Sequence, residues 1–217
     1  MIPAVSSGAR MYGLVSYLAG PGKANEHTDQ HVVAASSAEV FYAGGAGGPI
    51  TAEQVHALSD RLDEARLVFG AVVERTDRKE LNAARARGLT GSAAIAEATH
   101  DENVWHCSLS LSPEEGPLDD AKWSAVVHDF MEGMGFDDPN QAPVRWVAIR
   151  HGLTKNGGDH VHIAATRVRD DKSLVDLWPK DPQTGKAVGD HKRAQRVCRE
   201  LETKHGLEIL SGRAKDV

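Results

Sequence analysis

The chain has 217 residues, 41% hydrophobic and 26% charged, with a formal net charge of -6. That length and composition suit one globular domain with a substantial core. No run approaches the roughly 18 apolar residues of a membrane helix, and no basic region followed by an apolar run opens the chain. A protein without membrane insertion, working in the cytoplasm, is therefore expected. Cys107 and Cys198 are the only cysteines and sit in unrelated contexts, which argues against a disulfide framework or a Cys-based zinc site.

The charge is unevenly spread. Residues 97–140 carry 11 acidic side chains and one basic, whereas residues 145–200 carry 12 basic and 7 acidic. Such a division lets a basic half face a polyanion while an acidic half faces water.

In chain order, residues 11–19 predict a short helix with Leu14, Tyr17 and Leu18 on one face, broken by Gly20-Pro21-Gly22. Residues 31–42 read as a strand. The glycine-rich 43–49 lacks the Lys and Ser/Thr of a phosphate-binding loop. Thr51 with Gln54 fits a capping box and starts a helix to about Arg66. Residues 75–88 and 90–97 read as two further helices. Residues 104–111 alternate strictly, with Trp105, Cys107, Leu109 and Leu111 on one side and His106, Ser108 and Ser110 on the other, as in a half-buried strand. Asp119 or Asp120 caps a helix through Met134. Residues 144–149 and 160–168 read as strands joined by a polar loop, with a hairpin following into 173–178. A helix over about 190–205 closes a domain spanning 1–210. Residues 211–217 read as a flexible tail, the stump of a longer protein.

His160-Val161-His162 is the most informative tripeptide. Residues two apart on a strand point to the same face, so both imidazoles project together. His151 ends the preceding strand, and a hairpin brings it to the pair. Three converging imidazoles make a site for a divalent transition ion with positions left open for a substrate oxygen. Asp159 and Asn156 are close enough in sequence to orient an imidazole.

His-hydrophobe-His is the motif of the HUH endonucleases. Around it the chain resembles the mobilization relaxases of conjugative plasmids, in an actinobacterial-like branch. YLAGPGKANEH (17–27) is similar to the family's first motif, WHCSLSLSPEEGPLDDAKW (105–123) to the second, and RHGLTKNGGDHVHIAATRVR (150–169) to the third. DHKRAQRVCRELETKHGLE (190–208) resembles the helix that follows. One departure stands out. Many relatives carry an Asp two residues after the first His of the third motif, where this chain has Leu153, so an acidic helper has to come from Asp101, Glu102 or Asp159.

The resemblance implies an α/β fold with an antiparallel central sheet and helices mainly on one face, the first helix lying across the site. It implies site- and strand-specific nicking of single-stranded DNA at a transfer origin, through a covalent 5′-phosphotyrosyl intermediate that later rejoins the strand. Conserving the phosphodiester's energy requires such an intermediate. All three tyrosines, Tyr12, Tyr17 and Tyr42, precede the histidine pair, which is the relaxase order; replication initiators place the tyrosine after it. Tyr17 matches the first motif and is the expected nucleophile, with Tyr12 and His27 as alternatives. His151, His160 and His162 are the expected ligands of Mg²⁺ or Mn²⁺, and softer ions also suit the site. Ser108, Ser110, Arg167 and Arg169 are expected at the DNA, with Lys192, Arg193 and Arg196 steering its backbone. Relaxosome accessory proteins and coupling proteins are the implied partners. The competing readings are a replication initiator or transposase of the same superfamily, and a DNA-binding accessory protein that has lost catalysis.

Overall fold

A computed structural model describes residues 1–22, 27–45 and 47–210. The tail expected at 211–217, and residues 23–26 of the first motif, lie outside the described residues. The elements run β1 (Ile2–Gly8), α1 (Met11–Ala19), β2 (His31–Ala35), α2 (Ala38–Ala43), α3 (Ala52–Phe69), β3 (Glu74–Thr76), α4 (Arg78–Ala86), α5 (Gly91–Glu97), β4 (Thr99–Asp101), β5 (Val104–Ser110), α6 (Asp120–Gly133), β6 (Val144–Leu153), β7 (Asp159–Arg169) and α7 (Asp190–His205).

Five strands form one antiparallel sheet in the order β1-β5-β7-β6-β2, and β3 pairs with β4 in a separate ribbon. The alternation read at 104–111 explains the layering. Trp105, Cys107 and Leu109 meet Ala165, Ile163 and Val161 across β7 and share one core with α6 and α7. Val104, Val147, Ile149 and Ala164 point the other way, into a second core with α1 and α3. The antiparallel sheet is as expected, but the helices divide between its two faces rather than gathering mainly on one. The physical reason is that β6 and β7 are apolar on both sides, as central strands buried from both faces must be.

The helix boundaries follow local chemistry. Thr51 Oγ1 accepts from Gln54 N at 3.3 Å while Gln54 Oε1 accepts from Thr51 N at 2.8 Å, so the predicted capping box forms. Asp119, not Asp120, caps α6, accepting from Lys122 N at 2.7 Å. Three expectations are corrected. Residues 31–42 are not one strand: Ser37 caps a helix after β2. The helix read over 75–88 loses its first residues to β3 and starts after Asp77, whose side chain accepts from Lys79 N and Glu80 N. The loop read at 152–159 is partly strand, because β6 and β7 extend into a tight turn.

Each buried tryptophan finds a carboxylate for its indole N–H, as burial demands. Trp105 donates to Asp190 at 3.0 Å, Trp123 to Asp159 at 2.8 Å and Trp146 to Asp137 at 2.7 Å. Asp159 is fully buried and also accepts from the Arg150 guanidinium at 2.9 and 3.2 Å and from Leu118 N at 3.0 Å. It therefore ties β7 to α6 on the side away from the imidazole rings. Replacing Asp159 with Ala strands a partly buried guanidinium and an indole N–H, so a loss of about 3–5 kcal/mol in urea unfolding is expected. An unchanged midpoint would show that the network contributes nothing to stability.

Candidate metal centre

The hairpin of β6 and β7 builds the site. Ser108 lies opposite His162 and Ser110 opposite His160, so both serines and both histidines occupy one face of the sheet. His151 reaches the same face through a β-bulge. Arg150 pairs with Val161 and Gly152 with His160, so His151 is an extra residue opposite a single step of β7. Gly152 takes φ +76, and a Cβ there would come within 2.9 Å of Thr28 Oγ1. The bulge thus needs glycine both for its backbone and for the close passage of residues 28–29. Thr28 N donates to His151 O at 3.2 Å and fixes that crossing.

Each imidazole has one nitrogen engaged and one left for a ligand. His151 Nε2 donates to Leu18 O at 2.8 Å, and His160 Nδ1 donates to Gly152 O at 2.9 Å. His162 Nδ1 meets His106 Nε2 at 2.9 Å. One candidate ligand atom from each of the three lies within 4.8 Å of the others. His151 Nδ1 is buried without a hydrogen-bond partner. A buried orphan nitrogen facing two more imidazoles is what a divalent cation site requires. The three residues therefore fit a divalent cation.

His106 was not expected as a site residue. Its Nδ1 meets Ser6 Oγ at 2.9 Å, and its ring stacks on His162 with an interplanar angle of 8°. If His162 Nε2 is to hold a cation, Nδ1 carries the proton and donates to His106 Nε2. His106 Nδ1–H then donates to Ser6. The chain Ser6–His106–His162 crosses β1, β5 and β7 and fixes the ligand's tautomer. Only the side of β5 on which His106 sits, shared with Ser108 and Ser110, carried a signal in the sequence.

Burial, followed by the neighbouring imidazoles, lowers the pKa of His151 to about 3 and of His162 to about 2; burial alone lowers that of His106 to about 4. All three are neutral at neutral pH and offer lone pairs rather than charge.

The first helix lies against this cluster. The His27 ring sits 3.7 Å from that of His151 and 5.2 Å, edge-on, from that of Tyr17. His27 Nδ1 donates to Gly20 O at 2.8 Å. Tyr17 is 38% exposed, one residue before the carbonyl that holds His151. Tyr12 instead stacks on His56 at 4.6 Å, and Tyr42 packs edge-on against Phe41 on α2.

The expected acidic helpers lie elsewhere. Asp159 is locked beneath the sheet, and Glu102 is held by Ser7, Arg75 and Arg167. Asp101 sits in the β3–β4 ribbon opposite Glu74, and Asn156 is exposed at the hairpin turn. Among the described residues, the partners of the three imidazoles are two carbonyls and a further imidazole, with no carboxylate. Arg169 is also a correction. Its side chain is buried and donates to Gly135 O, Phe136 O and Ala142 O, so it closes the end of α6 instead of meeting DNA. Arg167 is nearly as enclosed, paired with Glu102 at 2.5 Å. Ser108 and Ser110 stay half-buried beside the histidines.

Two outcomes are expected. His106→Ala weakens Mn²⁺ binding about ten- to hundred-fold in calorimetry, the usual loss when a ligand's outer hydrogen-bond partner goes; unchanged affinity would leave the relay without a role. In metal-free protein the unfolded imidazoles titrate near 6.5 and the folded ones far lower. The unfolded state therefore gains protons first as pH falls, and stability drops from about pH 6.5 down toward 3. Urea midpoints at pH 7.5 and 5.0 measure this, and equal midpoints would contradict it.

A comparison with protein families finds a match to "Relaxase: MobA/VirD2-like, nuclease domain" over residues 52–207. That span holds all three histidines, His106 and both serines, but not Tyr17 or His27. No curated protein matches the chain significantly. With well over half its length matched and a three-histidine cluster in place, the chain belongs to the MobA/VirD2-like relaxase nuclease family and is a DNA nickase of conjugative transfer.

Proposed function

We propose that residues 1–210 form one nicking domain that cleaves single-stranded DNA at a plasmid transfer origin, with Tyr17 as nucleophile and His151, His160 and His162 holding the metal. The observation that carries this reading is the continuous contact Tyr17–His27–His151, together with the Leu18 carbonyl bound to His151. It couples the end of α1 to the imidazole cluster through two adjacent residues.

In the reaction, the Tyr17 hydroxyl oxygen forms a bond to the scissile phosphorus, and the bond to the 3′ oxygen breaks. The hydroxyl proton leaves with the attack, and the departing 3′ oxygen takes one up. The products are a 5′-phosphotyrosyl adduct and a free 3′ hydroxyl, and reversal rejoins the strand. A divalent cation, Mg²⁺ or Mn²⁺ in the cell, supplies Lewis-acid polarisation of the phosphate oxygens when bound. The protein's own contribution is orientation. The Leu18 and Gly152 carbonyls and His106 fix the imidazoles, while the Ser108 and Ser110 hydroxyls, opposite His162 and His160, suit a phosphate of the bound strand.

Tyr12 is less suited, because its ring and hydroxyl meet His56 and not a histidine of the cluster. On this reading the chain works in the cytoplasm with accessory and coupling proteins. No helix among the described residues is long and apolar enough to cross a membrane. The actinobacterial-like branch rests on the motif resemblance alone.

Tyr17→Phe removes the attacking oxygen and leaves the ring packing in place. Incubated with origin oligonucleotides and Mn²⁺, this variant is expected to give no denaturation-resistant DNA–protein adduct, while its Mn²⁺ affinity is unchanged. Full adduct yield would overturn Tyr17 as nucleophile.

A further inference from the structure

Three of the four tryptophans are buried with their indole N–H on an aspartate; the fourth, Trp178, is 60% exposed. Yet the ring is held. A Cβ at Gly189 would meet three atoms of its six-membered ring at 2.8, 2.9 and 3.2 Å, so the indole lies against the glycine backbone. Much of the rest of the side chain is left to solvent.

The segment that carries it is built, not loose. Val188 N donates to Pro179 O at 2.9 Å, Asp181 N donates to Lys186 O at 2.9 Å, and Lys180 bridges Ala187. The Asp181 carboxylate accepts from Gln183 N and Thr184 N and closes the turn. Between this hairpin and α7 lies a cleft of about 360 Å³ whose lining includes Lys186, Lys192 and Arg196. Residues 178–196 carry five Lys or Arg against two Asp, in a chain of net charge -6. Both carboxylates are engaged, Asp190 on Trp105 and Asp181 in its turn and on Arg196.

Trp178 opens the hairpin whose cleft with α7 holds these cations, and an exposed, held indole on a basic segment is the combination that binds single strands: the ring stacks an unpaired base and the cations hold phosphates. A duplex does not offer this stacking, because its base faces are already covered. We propose that Trp178, with Lys186 and Lys192, forms a second single-stranded DNA site. It is separate from the histidine centre. The chain turns back along β7 before Trp178, with Val175 N donating to Arg167 O, and the indole lies against Gly189 at the start of α7, which sits over Trp105 on the face opposite the histidines. The site anchors the strand away from the cleavage point. The inference rests on the nickase reading only for the identity of the ligand.

The full chain and its variants are titrated with (dT)30 and with a 30-base-pair duplex. Trp105, Trp123 and Trp146 are buried, so quenching of tryptophan emission by (dT)30 reports on Trp178. Trp178→Ala is expected to abolish the quench and weaken (dT)30 binding about ten- to hundred-fold by anisotropy, in line with base-stacking energies. Trp178→Phe should lose the quench but keep most of the affinity. Lys186→Gln with Lys192→Gln should lower the log–log salt slope by about 0.7 for each phosphate no longer neutralised. Duplex affinity should stay the same in Trp178→Ala. Wild-type affinity for (dT)30 in Trp178→Ala overturns the second site and leaves the nickase reading intact. No binding of (dT)30 by the wild-type chain also overturns the second site, while the nickase reading is tested separately by the adduct with origin oligonucleotides.

Discussion

One extra residue in β6 decides whether this protein has a metal centre. His160 and His162 share a face by the two-residue period of β7, and any register would keep them together. His151 lies on a different strand, one position past Arg150, whose side chain turns to the opposite face to meet Asp120 and Asp159. The bulge between Arg150 and Gly152 lets neighbouring residues serve opposite sides of the sheet. Arg150 locks the α6 layer, while His151 joins the imidazoles. The same bulge sets the path of residues 27–29, because Gly152 gives the room that Thr28 needs and Thr28 holds the His151 carbonyl. The His27 stack and the closeness of α1 follow from that crossing.

The charge pattern reads differently once the partners are known. The acidic stretch 97–140 is not a bare negative face. Asp120 bonds His31 and Arg150, Asp129 bonds Lys204 and His205, and Asp137 receives the Trp146 indole. Many arginines of the basic stretch are likewise used internally. Arg169 and Arg193 donate to carbonyls at the end of α6, where the helix dipole favours cations. The exposed lysines of the hairpin before α7, Lys180 and Lys186, are not drawn into these internal contacts. An overall acidic chain and a polyanionic substrate are thus compatible, because the charges that count are those left exposed.

The sequence was legible where one physical rule dominates. Alternation at 104–110 placed Trp105, Cys107 and Leu109 in the core, the Thr51–Gln54 box set the start of α3, and the His-Val-His spacing put two imidazoles on one face. It was silent where two rules compete or the information is non-local. β1 was missed because IPAVSSG alternates poorly, as an edge strand with one exposed side permits. Arg169 looked like a DNA contact because nothing local shows that a guanidinium is enclosed by three carbonyls. His106 gained its role only from pairing with two strands far away in sequence. Tyr17 came from motif resemblance, and the family match begins at residue 52; what bears on it structurally is its edge-on contact with His27.

The proposed function depends most on α1 delivering Tyr17 to a phosphate at the histidine centre. Peptide mapping of the covalent adduct tests this most directly. The wild-type chain is reacted with origin-bearing single-stranded DNA and Mn²⁺, digested, and sequenced by mass spectrometry for the residue that carries the 5′-nucleotide. The label is expected on Tyr17 alone. A label on Tyr12, His27 or Tyr42 would contradict that delivery.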